Sequence, residues 1–162
     1  MQFIAAGAMV VLATSAFASG NHLGGHDLET IGKPGLSSKV TRTLRLEMTD
    51  AMRFTPTNIS ARQGETVRFV VKNSGALSHE FVLGTAKDLK AHYELMKRNP
   101  EMEHADANML TVKPGETSEM LWQFTKAGSV DFACLYPGHF DAGMKGSIAI
   151  APTTKHLKLA SK

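Results

Sequence analysis

The stretch Cys134-Leu135-Tyr136-Pro137-Gly138-His139-Phe140-Asp141-Ala142-Gly143-Met144-Lys145-Gly146 concentrates more chemistry than any other part of this chain. A thiol, an imidazole and a thioether share one short loop, spaced C-x4-H-x4-M. Upstream, Ser78-His79-Glu80-Phe81 adds a second imidazole at the head of an apolar run. A thiolate, two imidazoles and a thioether form the donor set of a mononuclear electron-transfer copper site. Soft sulfur suits Cu(I), imidazole suits both oxidation states, and a weakly held thioether tunes the potential. Zinc is the main chemical competitor, but its sites seldom use methionine. Cys134 and His139 could also be read as nucleophile and base, yet a thiolate bound to a metal is no longer a free nucleophile.

Working outward, the loop is flanked by strand patterns at 129–133 and 146–150, so Cys134 ends one strand and Met144 opens the next. Residues 40–48 alternate around Leu44 and Leu46, and residues 65–72 place Val67, Phe69 and Val71 on one face. Further short strands are expected at 79–83 and 117–124. Turn signals at Arg62-Gln63-Gly64, Asn73-Ser74-Gly75 and Lys113-Pro114-Gly115 separate several of them. Many short strands with such punctuation predict an all-β, antiparallel sandwich or barrel. One segment departs from this pattern. Thr85-x-x-Asp88 can cap a helix, Leu89, Tyr93 and Met96 share a face, and Asn99-Pro100 stops it. A helix of about three turns is therefore inserted between strands.

The chain's 162 residues, 43% of them hydrophobic and 20% charged, suit a single domain with a real core. They exclude collagen-like, wholly disordered and disulfide-scaffold classes. One cysteine cannot form an internal bridge. The net charge of +3 resides in the tail at 153–162, which carries Lys155, Lys158 and Lys162; without it the body has fifteen residues of each sign. No clustered basic patch marks a nucleic-acid surface.

The apolar run from Phe3 to Phe17 ends in Ala16-Phe17-Ala18 before Ser19, the small-x-small pattern of a secretory cleavage site. The run is shorter than the ~20 residues that span a bilayer. Residues 1–18 are thus expected to be a cleaved signal peptide. A periplasmic mature protein would start near Ser19 and have no membrane association. Residues 19–39, rich in Gly and Ser and carrying His22 and His26, read as a flexible leader. The domain proper is expected at 40–152, with a basic tail at 153–162. In an oxidising compartment the lone Cys134 should be shielded or metal-bound.

The filled ligand order, with the histidine upstream and Cys, His and Met on one loop, resembles the cupredoxins, the plastocyanin/azurin-like type 1 copper proteins. The likeness runs from about Thr43 to Ala151. It implies a Greek-key β-sandwich or barrel, with His79, Cys134, His139 and Met144 as ligands of one type 1 copper. Asp50-Ala-Met-Arg-Phe-Thr-Pro56, His79-Glu-Phe-Val-Leu-Gly84 and the helical insert followed by Glu101-Met102-Glu103-His104 are similar to the CopI-type periplasmic cupredoxins. That resemblance implies a role in copper tolerance and a green, distorted centre. In small electron carriers an Asn or similar residue usually follows the upstream histidine and supports the thiolate; here that residue is Glu80.

Outside the ligand set stand Met48, Met52, Met96, Met102, Met109 and Met120, with His22, His26, His92, His104 and His156. The plain reading makes these methionines core filler. The sharper one places a second copper at Met52, Met102 or His104, or on His92 and Met96, which are four apart on the helix. The expected partners are copper itself and a redox or copper-handling protein, and the expected state is a monomer. Two functions remain open: copper tolerance, and electron carriage to a periplasmic oxidase or reductase. An enzyme is not expected. Oxidation of Cu(I) is the weakest idea, because no trinuclear histidine cluster is present in the sequence.

Overall fold

The computed structural model describes residues 28–100 and 105–153. The expected signal peptide, His22, His26, Met102, His104 and nearly all of the basic tail lie outside the described residues.

The strands are β1 (Lys33–Pro34), β2 (Arg42–Thr49), β3 (Arg53–Thr55), β4 (Asn58–Arg62), β5 (Thr66–Asn73), β6 (His79–Gly84), β7 (Met109–Val112), β8 (Thr117–Gln123), β9 (Gly128–Ala133) and β10 (Lys145–Ala151). They form two five-stranded sheets, ordered β1-β8-β5-β2-β3 and β4-β10-β9-β6-β7. Alternation in β2 and β5 turns Leu46, Met48, Val67, Phe69 and Val71 inward. Opposite them, Phe81, Phe132 and Ile148 come from the second sheet. Phe54 and Phe132 pack edge to face at 5.1 Å, and Phe81 lies 5.3 Å from Phe132. Such interdigitation of two inner faces is what holds a sandwich together.

Two pairings depart from the antiparallel expectation. β2 runs parallel to β5, and β4 runs parallel to β10. Strand patterning specifies which face is buried but not the direction of a neighbour, because parallel neighbours are joined by long connections that leave no local signature.

The inserted helix is present as α2 (Ala86–Arg98), with the Thr85 side chain accepting a hydrogen bond from Asp88 N–H as cap. Its stripe of Leu89, Tyr93 and Met96 packs on the outer face of the second sheet. There Leu89 and Tyr93 join Val82, Ala133 and Leu135 in a satellite core. β6 is consequently covered on both faces and buried along its whole length. No helix among the described residues is long and apolar enough to cross a membrane.

The leader assignment needs correction over 28–39. A short helix, α1 (Leu28–Ile31), and β1 dock on the first sheet, where Lys33 and Pro34 pair with Gln123 and Trp122. Ile31 is buried in the main core, and its carbonyl accepts the indole N–H of Trp122 at 2.9 Å. Gly and Ser content suggested a tether. The buried side of one isoleucine and the unpaired edge of β8 supply the docking that composition does not reveal.

Candidate metal centre

β6 opens with His79, and β9 delivers Cys134 one residue beyond its end. The loop from Cys134 to Met144 closes on itself. Cys134 N–H donates to the Met144 carbonyl, and Met144 N–H donates to the His139 carbonyl, both at 3.0 Å. His139 N–H in turn donates to the Tyr136 carbonyl. Gly138 takes the left-handed conformation at φ 87°, which a side chain would strain, and this aims His139 back towards the strands.

The closed loop brings three ligating atoms together. His79 Nδ1 lies 3.2 Å from His139 Nδ1, and Cys134 Sγ lies 3.3 Å from the same nitrogen. Among the described residues, His79, Cys134 and His139 form the one group of three or more His, Cys, Asp or Glu side chains whose ligating atoms face a common point, all within 4.8 Å of one another. His79 and Cys134 are fully buried, while His139 keeps one edge partly exposed. Met144, the fourth residue singled out in the sequence, is fully buried in the same core cluster as Cys134.

The sulfur is prepared for a cation. Glu80 N–H donates to Sγ at 3.3 Å, and Tyr136 N–H is a second donor to it. Desolvation nonetheless pushes the free thiol up to about 12, so a thiolate here requires a metal to neutralise it. Burial, followed by the neighbouring His79, lowers the His139 imidazole below its usual value, which favours the neutral form that ligates. Soft sulfur with two imidazoles in a buried setting fits copper.

Glu80 settles one point raised by the sequence. The bond to sulfur comes from its backbone, so any residue other than proline at that position supplies it. Its own side chain is 5% exposed and accepts from Leu135 N–H, with burial raising the carboxyl to about 7.

Three residues not assigned to the site from sequence support it. Asp50 faces His79 Nε2 at 3.1 Å. Arg53 donates to the carbonyls of Met52 and Ala142, both at 2.7 Å, fastening the metal loop to the β2–β3 turn. Tyr93, read only as a core residue of the helix, receives Gly138 N–H and donates to Asp141. Asp50 and Arg53 stand in a motif that had signalled likeness without a role. Their partners lie 29 and 89 residues away.

The second-copper candidates are not assembled among the described residues. His92 and Met96 are 8% and 3% exposed, on the helix face turned to the sheet rather than to solvent. Met52 is partly buried against the main core.

Set against known proteins, residues 40–151 match the model of copper binding proteins of the plastocyanin/azurin family. The copper-resistant cuproprotein CopI of Rubrivivax gelatinosus is 53% identical over 126 residues, 77% of this chain and 76% of that protein. CopI of Vibrio cholerae is 35% identical over 79% of this chain and 76% of its own length. The solved structure of auracyanin B superposes with a TM-score of 0.62 at 22% identity, covering 75% of this chain and 96% of that one. With this fold and this buried Cys-His-His cluster, the chain belongs to the plastocyanin/azurin family of copper-binding proteins, the cupredoxins.

Proposed function

We propose that this chain is a copper-tolerance protein of the periplasm, binding one type 1 copper through His79, Cys134, His139 and Met144. The convergence of His79 Nδ1, Cys134 Sγ and His139 Nδ1 carries the reading. The relatives named as copper-resistant cuproproteins support the physiological role. Bound there, copper supplies one-electron chemistry between Cu(I) and Cu(II).

The chain's own residues do the rest. The two N–H donors on sulfur stabilise negative charge on Cys134 without adding a proton. Burial excludes water and competing thiols from His79 and Cys134. Met144, following His139 on the closed loop, would hold the copper through its thioether, and the partly exposed His139 would give electrons their route to it. We read the protein as a binder rather than an enzyme.

Copper titration of the protein starting at Ser19, with Cys134→Ser alongside, tests the site. Wild type should retain one copper with an intense thiolate band, and the variant should lose that band. Deletion of the gene should sensitise cells to copper. A respiratory defect at low copper without copper sensitivity would instead favour the second reading, an electron carrier.

A further inference from the structure

The β2–β3 turn touches the metal centre through Asp50. Met52 N–H donates to the Thr49 carbonyl to close the turn, leaving the Asp50 side chain pointing across to the loop before β6. There Oδ2 accepts Ala76 N–H at 2.7 Å, and Oδ1 accepts Leu77 N–H at 3.2 Å. Oδ1 also lies 3.1 Å from His79 Nε2. The approach is close enough that a Cβ on Gly75 would collide with Oδ1, so glycine at residue 75 lets the carboxylate sit there.

His79 has no exposed surface, so water cannot substitute for this partner. Both oxygens of Asp50 already accept backbone N–H bonds, Oδ2 from Ala76 and Oδ1 from Leu77, so the carboxylate faces His79 as an acceptor. A carboxylate oxygen engaged in this way accepts hydrogen bonds. The proton on His79 must therefore be on Nε2, leaving the Nδ1 lone pair directed at Cys134 and His139. A backbone carbonyl would fix the same tautomer. A carboxylate also places negative charge behind the ring, which makes the imidazole a stronger donor and favours the higher metal charge.

We propose that Asp50 is a positioning residue of the copper centre, locking His79 in its Nδ1-ligating tautomer and biasing the bound copper towards Cu(II). The inference rests on reading the cluster as a copper site.

Two measurements test it. In metal-free wild-type protein, nitrogen NMR of His79 should show the Nε2–H tautomer; the Nδ1–H tautomer would overturn the proposal, and this readout needs neither copper nor a variant. In the copper-loaded protein, Asp50→Asn should keep the thiolate band and raise the midpoint potential. The expected Cu(I) to Cu(II) ratio at fixed solution potential rises roughly tenfold, which for one electron is ~59 mV. An unchanged or lowered potential, with the wild-type band intact, overturns the role of Asp50 and leaves the copper site standing. Loss of the copper-site reading would show separately, as a wild-type protein whose copper binding is indifferent to Cys134→Ser.

Discussion

The hydroxyl of Tyr93, on the inserted helix, accepts Gly138 N–H at 3.0 Å and donates to the Asp141 carboxylate at 2.7 Å. The phenol ring stacks on Phe140 at 4.9 Å. One side chain from α2 thus holds the metal loop on both sides of His139. The helix that sets this chain apart from a plain strand-only sandwich is mechanically part of the metal centre.

Tyr93→Phe keeps the ring and removes both bonds, leaving Gly138 N–H without its partner. The expected cost is about 2 kcal/mol in unfolding free energy, at roughly 1 kcal/mol for each of the two bonds. A shifted thiolate band should accompany it, because the loop carrying His139 loses a tether. Denaturant titration and visible absorption check the two parts. A variant as stable as wild type with an identical spectrum would show that the helix merely covers the sheet.

Copper uptake should release a proton from Cys134. The buried thiol titrates near 12, so it is protonated in the metal-free protein at neutral pH and must ionise to bind. Calorimetry in buffers of different ionisation enthalpy should find at least one proton released, with apparent affinity rising with pH. The metal-free thiol should also react slowly with alkylating reagents.

Glu80 should make the metal-free protein less stable as pH rises. Its carboxyl is raised from the ordinary 4.5 to about 7 by burial. Between those values the folded state holds a proton that the unfolded state has lost. The stabilisation is therefore complete below the unfolded value and disappears as pH passes the folded one. The full effect is on the order of 3 kcal/mol. Melting from pH 4 to 8 should show this slope in wild type and a flatter one in Glu80→Gln; equal slopes would point to another group.

Asn73 is fully buried and organises the loop that leads into His79. Its amide donates to the Leu77 and Val112 carbonyls at 2.7 and 2.9 Å, and its oxygen accepts Gly75 N–H at 2.9 Å. Asn73→Ala strands all three groups and should cost about 2–4 kcal/mol, judged from the penalty for buried unpaired polar atoms. Chemical denaturation measures it, and copper binding should weaken in parallel.

Local chemistry was readable from the sequence, and long-range pairing was not. The Thr85 cap, the Leu89–Tyr93–Met96 stripe and the alternation in β2 and β5 are each written within a few neighbouring residues. So is the C-x4-H-x4-M loop. Asn73 was legible as a turn residue, but the carbonyl of Val112 that it holds is 39 positions on. The short strands β3, β4 and β7 were missed, since three to five residues give too little alternation to stand out. Residues 28–39 looked like a tether because a docked segment and a free one can share one composition. Only the partner surface on β8 tells them apart.

That docking also gives the protein an optical gauge. Trp122 is the single tryptophan of the chain, fully buried, with its indole N–H held by the Ile31 carbonyl. Cutting the chain at residue 40 would remove the lid on that indole together with the strand that shields the edge of β8. Such a protein should fluoresce at longer wavelength, quench readily with acrylamide and self-associate. The family match begins at residue 40, but the docked segment begins at Leu28, and tryptophan emission would report its loss.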